Sequence, residues 1–231
     1  MLRISEVYTS IQGEGPGAGS PTQFVRFAGC NLKCPGWPCD TQHAIDPKLY
    51  RNEWETISPD TLLNHVESWP RAVTLTGGEP LLQNKDDLEE FAIRLLQLGY
   101  SIELFTNGTY LLPHWLSHQG IRTRIIMDWK LPDSGEDPDN ETRITNLQYL
   151  RNRDAIKFVC ASRRDFDSAR EIAREYMLEG GRPQLYLGVA WGKLEEKELV
   201  EWMLKEQLRS DAWKLNVQVH NYIWPRDERA R

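Results

Sequence analysis

Three of the four cysteines, Cys30, Cys34 and Cys39, fall within ten residues of one another, while Cys160 stands alone. So uneven a distribution suits a metal centre in a reducing compartment better than a disulfide framework. The run Gly29-Cys30-Asn31-Leu32-Lys33-Cys34-Pro35-Gly36-Trp37-Pro38-Cys39-Asp40-Thr41 holds two prolines and a glycine between its second and third cysteines, the composition of a loop that can wrap around a guest. Structural zinc takes four protein ligands in a tetrahedron, and His43 is the one candidate nearby for the fourth. On a four-iron cluster, three cysteines leave one iron open to a small molecule, an arrangement that serves chemistry rather than scaffolding. A second element, Gly77-Gly78-Glu79-Pro80, follows a strand: its glycines let the backbone approach a ligand, and its carboxylate can hold an ammonium. Each element is a weak signal alone; together, one strand apart, they form a strong one.

The elements that position these loops follow from periodicity. Strands are predicted at Gln23–Ala28, Ala72–Thr76, Ser101–Phe105, Arg124–Trp129, Ala155–Val159, Gln184–Gly188 and Lys214–His220, after an alternating N-terminal strand that begins Met1-Leu2-Arg3-Ile4. Between them, Asp86–Leu98, Arg164–Met177 and Glu195–Gln207 carry apolar residues at helical spacing. This βαβα rhythm predicts an α/β fold, a full or partial (β/α) barrel of about six parallel strands with polar or glycine-containing segments at the strand ends. An open doubly wound sheet is the alternative. Asp46–Ser58 and the acidic stretch Pro132–Asn146 read as mobile, solvated loops. Neither a repeat nor a composition shift marks a second domain, so residues 1–231 read as one domain, with an N-terminal segment ahead of the cysteine loop at 30–39. Cys160, after a strand and without a partner in sequence, reads as an inert buried residue.

The 231 residues suffice for a full core without disulfides. A formal net charge of −6 argues against a protein that grips nucleic-acid phosphates directly. No stretch approaches the roughly 18 apolar residues of a membrane span, and the N-terminus lacks a basic segment followed by a long apolar one; the expected location is the cytoplasm.

Beyond the cysteine loop and Gly77 to Pro80, the chain carries Gln12-Gly13-Glu14-Gly15, Arg26 before the loop, Cys39-Asp40-Thr41 closing it, Thr106-Asn107-Gly108-Thr109, and Gln218-Val219-His220-Asn221-Tyr222-Ile223-Trp224. In this order, across nearly the whole chain, they resemble the radical S-adenosylmethionine enzymes, and within these the 7-carboxy-7-deazaguanine synthase family. The resemblance implies a 4Fe-4S cluster on Cys30, Cys34 and Cys39 that cleaves S-adenosylmethionine to a 5′-deoxyadenosyl radical. It implies cofactor contacts from Pro38, Asp40, Gly77, Gly78, Glu79, Asn107 and Lys130, and a magnesium ion on Thr41. Ile11, Gln12, Gly13, Glu14, Arg26, Thr76 and His220 would bind 6-carboxy-5,6,7,8-tetrahydropterin. Arg26 suits its carboxylate because a guanidinium offers a rigid donor pair. Glu14 and the backbone of Gln12 and Gly13 suit its amino-pyrimidinone edge. An electron donor such as flavodoxin or ferredoxin and a homodimeric state are implied as well. This chain departs from the family in spacing its cysteines by three and then four residues, in Phe105, and in Asp128-Trp129-Lys130. Two further readings stay open: an activase that makes a glycyl radical on a partner protein, and a non-enzymatic module braced by zinc.

Overall fold

Successive side chains of a strand face opposite sides of its sheet, and here the two sides differ in chemistry. The computed structural model describes residues 1–37, 39–118, 122–136, 140–180, 183–225 and 229. Its strands are β1 (Leu2–Ile11), β2 (Pro21–Phe27), β3 (Glu55–Ile57), β4 (Ala72–Gly77), β5 (Ser101–Thr106), β6 (Thr123–Asp128), β7 (Ala155–Cys160), β8 (Gln184–Val189) and β9 (Trp213–Leu215). The helices are α1 (Gln42–Ile45), α2 (Pro47–Tyr50), α3 (Pro59–Asn64), α4 (Lys85–Gln97), α5 (His114–His118), α6 (Asn140–Leu147), α7 (Arg163–Glu175), α8 (Glu196–Lys205) and α9 (His220–Ile223).

One sheet runs in the order β3-β1-β2-β4-β5-β6-β7-β8-β9. From β2 onward every neighbouring pair is parallel, while β1 lies antiparallel to β2 and β3. The expected α/β architecture with a parallel sheet is therefore present. It is an open sheet rather than a closed barrel, with β3 and β9 at its edges. Because the parallel strands advance one place at a time, right-handed crossovers bring their helices to the same face.

On that face Val25, Phe27, Val73, Leu75, Ile102 and Leu104 are wholly buried against α3 and α4, and Ile156, Phe158, Leu185 and Leu187 against α7 and α8. Helix α4 illustrates the cause. Asn84 caps it by accepting from the Asp87 N–H at 3.0 Å, and Leu88, Phe91, Ala92, Leu95 and Leu96 form its buried stripe. Each wholly buried Phe or Leu there stabilises the fold by about 1.5–3 kcal/mol. One residue along, Phe24, Arg26, Thr74, Thr76, Phe105, Asp128 and Lys157 face the other way and wall a cleft.

Three expectations need correction. Asp46–Ser58 is not a mobile loop, for it contains α2 and supplies β3, which pairs with Leu2–Ile4. Within Pro132–Asn146, Arg143 is only 1% exposed and Asn146 wholly buried. The Asn146 amide donates to the carbonyls of Gly108 and Tyr110 and accepts from Leu112 N–H, bracing the turn after β5. Of the strand expected at Lys214–His220, only Trp213–Leu215 forms. Asn216 and Gln218 turn instead toward Gly15 and Glu14. The assigned helices start within one residue of their expected positions.

Candidate active site

The ends of β2, β4, β5, β6 and β7 open onto a cleft of about 440 Å³. Cys30, Cys34 and Cys39 line it, together with Ile11, Gln12, Gly13, Glu14, Arg26, Asp40, Thr41, Thr76, Gly77, Gly78, Asn107, Lys130 and His220. Pro38 lies outside the described residues.

The three thiols are free of disulfides and partly exposed. Burial pushes the Cys34 thiol up to about 11, with the Lys130 ammonium acting against it. The same cation counters the burial of Cys30 and Cys39. Among the described residues, no three His, Cys, Asp or Glu side chains converge as a single ion would require. His43, the one nearby candidate for a fourth zinc ligand, has its Nε2 3.2 Å from Glu6 Oε2. Three accessible thiols on one wall, too spread for one ion and flanked by a lysine, fit an iron–sulfur cluster, whose ligands sit on different irons.

Two strand ends support this loop. Gly78 N–H donates to the Phe27 carbonyl at 3.0 Å, and Glu79 N–H to the Gly29 carbonyl at 2.8 Å. A β-carbon on Gly78 would come within 2.0 Å of the Gly29 oxygen, and Gly77 has φ of 122°. Both glycines are thus needed for backbone to touch backbone beneath Cys30, beyond any role toward a ligand. Glu79 is wholly buried below the cleft floor rather than lining it. Its Oε1 accepts from Thr106 Oγ1 at 2.8 Å and Leu81 N–H at 2.9 Å, and its Oε2 from Asn107 N–H at 2.7 Å. Burial outweighs these donors and raises its carboxyl to about 7. Asn107 in turn donates to Asn31 Oδ1 at 3.0 Å, joining β5 to the cysteine loop. Thr41 Oγ1 lies 3.3 Å from Cys39 Sγ.

At the opposite end charges meet. Lys157 Nζ is 2.9 Å from Glu14 Oε2 and 3.3 Å from Asp128 Oδ2, and Lys130 Nζ is 3.1 Å from that same Asp128 oxygen. Gln218 donates to Glu14 Oε1 at 2.7 Å. Burial alone would raise the Glu14 carboxyl, but the Lys157 cation and these donors hold it at about 2. Asp128 Oδ1 is buried with no hydrogen-bond partner among the described residues, an acceptor left for a ligand donor.

Gln12 is more structural than expected. Its amide donates to Thr74 Oγ1 and Glu103 Oε2, while its backbone bonds to Ser20 and Gly19. His220 packs on Gly13, where a β-carbon would meet its Nδ1 at 1.9 Å. Arg26 donates from Nε to Glu6 at 3.1 Å and from Nη2 to Tyr8 Oη at 2.8 Å, so it enters the cleft already oriented. Burial pushes against the Glu6 carboxylate, yet His43, Arg26 and Arg229 hold it at about 2.

Three residues lining this site were given no role from sequence: Lys157, Arg229 and Asp128, the last noted only as a departure from the family. A lysine on the polar side of an otherwise apolar strand was the available signal for Lys157. Arg229, which reaches Glu6 and Glu53 from near the C-terminus, had none.

Residues 11–149 match the family described as a 4Fe-4S single cluster domain. A 7-carboxy-7-deazaguanine synthase of Clostridium acetobutylicum is 33% identical over 231 residues, covering 99% of this chain and 98% of its own. One from Koribacter versatilis is 33% identical over 237 residues, covering 96% and 97%. The crystal structure of QueE from Escherichia coli superposes with a TM-score of 0.70 at 23% identity, covering 95% of this chain and 94% of that one. It shares the fold.

Proposed function

The chain belongs to the 7-carboxy-7-deazaguanine synthase family of radical S-adenosylmethionine enzymes, and we propose that its cleft converts 6-carboxy-5,6,7,8-tetrahydropterin to 7-carboxy-7-deazaguanine with loss of ammonia. It is a lyase of 7-deazapurine biosynthesis whose cofactors are a 4Fe-4S cluster and S-adenosylmethionine. One observation carries this function: three free thiols, the Gly77–Gly78 strand end, Arg26, Glu14 and His220 share a single cleft.

Cys30, Cys34 and Cys39 hold the cluster, which when bound supplies the electron that cleaves the sulfonium reductively. Asp40, Gly77, Gly78, Asn107 and Lys130 contact S-adenosylmethionine beside it, with Pro38 in the same loop. Glu79, the residue expected to hold the cofactor ammonium, lies below the cleft floor and acts by holding Thr106 and the Asn107 backbone in place beneath the cofactor site. Arg26, fixed by Glu6 and Tyr8, takes the substrate carboxylate. Glu14, kept ionised by Lys157, can only accept hydrogen bonds, which suits the amino and ring N–H donors of a pterin. Ile11, Gln12, Gly13, Thr76 and His220 complete the wall around that ring. Thr41 offers its hydroxyl to a magnesium ion, which prefers few protein oxygens alongside water and substrate oxygens.

The substrate is a small molecule and the reaction needs an external reductant, for which flavodoxin or ferredoxin is suited. No helix among the described residues is long and apolar enough to cross a membrane. We place the enzyme in the cytoplasm as a homodimer of one radical SAM domain, residues 1–231, without direct nucleic-acid contact. Anaerobic reconstitution with iron and sulfide, then incubation with S-adenosylmethionine, reductant, magnesium and the carboxylated tetrahydropterin, is expected to yield the deazaguanine. Cofactor cleavage without that product would overturn the substrate assignment.

A further inference from the structure

Residues 131–136 wrap the outer flank of the cysteine loop. The Ser134 carbonyl accepts from Gly36 N–H at 3.0 Å, and a β-carbon on Gly36 would lie 1.8 Å from the Asp133 carbonyl oxygen. One residue beyond Gly135, Glu136 Oε1 accepts from the backbone N–H groups of both Lys33 and Cys34, the latter at 2.6 Å. Cys34 has φ of 45°, in the left-handed region. Immediately before its α-carbon, the Lys33 and Cys34 amides point at one acceptor, as successive amides do in a small anion-binding concavity. The carboxylate that fills it is anchored independently of the loop. Asp133 N–H donates to Asp165 Oδ1 at 2.9 Å, and the Asp133 side chain bonds Ser162 and Arg164 at the start of α7. Glu136 N–H donates to Ser134 Oγ at 3.2 Å.

We propose that Glu136 is a positioning residue for the cluster: its carboxylate clasps the Lys33–Cys34 backbone in the shape that presents Cys34 to the cleft, and its charge lowers the potential at which the bound cluster is reduced. This rests on Cys34 being a cluster ligand, as argued above. The physical logic has two parts. A left-handed cysteine is a costly resting conformation, and the carboxylate pins the two amides immediately before its α-carbon, so the loop relaxes when that acceptor is removed. The same two amides, held by a carboxylate, are also kept from donating to sulfur, and hydrogen bonds to sulfur and nearby charge both set the potential of such clusters.

Glu136→Ala removes acceptor and charge, whereas Glu136→Gln keeps an acceptor oxygen and removes only the charge. The bond after Lys33 is a trypsin site, which gives a readout on the metal-free full-length chain. The expected result is cutting after Lys33 several-fold faster in Glu136→Ala than in wild type, and release of iron to a chelator several-fold faster from the reconstituted variant. Glu136→Gln is expected to resist trypsin like wild type while its cluster, followed by electron paramagnetic resonance, is reduced at a more positive potential. Should Glu136→Ala match wild type in both cutting and iron release, Glu136 is no clasp. Wild-type protein that never takes up iron would instead overturn the cluster assignment, and this inference with it.

Discussion

At the substrate end of the cleft Glu14, Lys157, Asp128 and Lys130 are held charge against charge, whereas at the cysteine end Lys33, Cys34, Gly36 and Gly78 are held through their backbone amides. A buried ion network is sensitive to each of its members, because removing one leaves the next charge uncompensated. A loop held by its backbone amides is insensitive to the identity of its own side chains, apart from the glycines that permit close approach, and depends instead on its acceptors, Glu136 among them. The difference matches the tasks. A polar heterocycle has to be told from its relatives by charge and hydrogen-bond direction, while an inorganic cluster needs a loop of fixed shape.

The most damaging way to probe this contrast is Cys34→Ala, which is expected to abolish cluster retention and all turnover, read as iron per chain and visible absorbance. Full iron content in that variant would detach Cys34 from the centre. Next comes Lys157→Ala, which strips Glu14 and Asp128 of the lysine they share and is expected to cost about 3 kcal/mol in denaturant unfolding. Lys33→Ala, at the backbone-held end, is expected to change stability by about 0.5 kcal/mol or less. Equal losses in the two variants would erase the distinction between the ends.

A gentler probe is pH. The Glu14 carboxyl is lowered from 4.5 to about 2 in the folded chain, so its contribution is present above pH 4.5 and is lost as pH falls toward 2. Glu79 runs the other way. Raised from 4.5 to about 7, it makes the folded chain bind more protons than the unfolded one between those values, and stability declines as pH rises through that window. Urea midpoints of the metal-free chain across pH are expected to show a shallower acid-side drop in Glu14→Gln, with Glu6 still contributing its share, and a shallower decline toward neutrality in Glu79→Gln. The smallest effect belongs to Thr41→Ala, expected to leave the visible spectrum of the cluster intact while weakening stimulation by magnesium. Unchanged magnesium dependence would remove that ion from Thr41.

Legibility from sequence followed the range of the interaction. Helix α4 announced itself through Leu88, Phe91, Ala92, Leu95 and Leu96, and β4 through the glycines that end it, since both signals are local. Glu136 lies 102 positions from Cys34 and sits among acidic residues, so it read as a solvated face. Composition cannot distinguish a carboxylate in water from one that caps two amides. Likewise Asn216 and Gln218 fit the alternation of a strand, yet tertiary partners at Gly15 and Glu14 took their side chains and ended β9 early. The expected site residues line the cleft, except Glu79 beneath its floor and Pro38 outside the described residues, but the side chains that hold them there were mostly not foreseen.

Gly13 accepts from Val219 N–H through its carbonyl and leaves room for the His220 ring, while Gln218 reaches Glu14 across 204 positions of chain. Protein synthesis runs from N-terminus to C-terminus, and early segments can fold before late ones exist. One jaw of the pocket therefore emerges from the ribosome long before its counterpart. Whatever delivers iron and sulfide meets a half-built vessel until translation has passed His220.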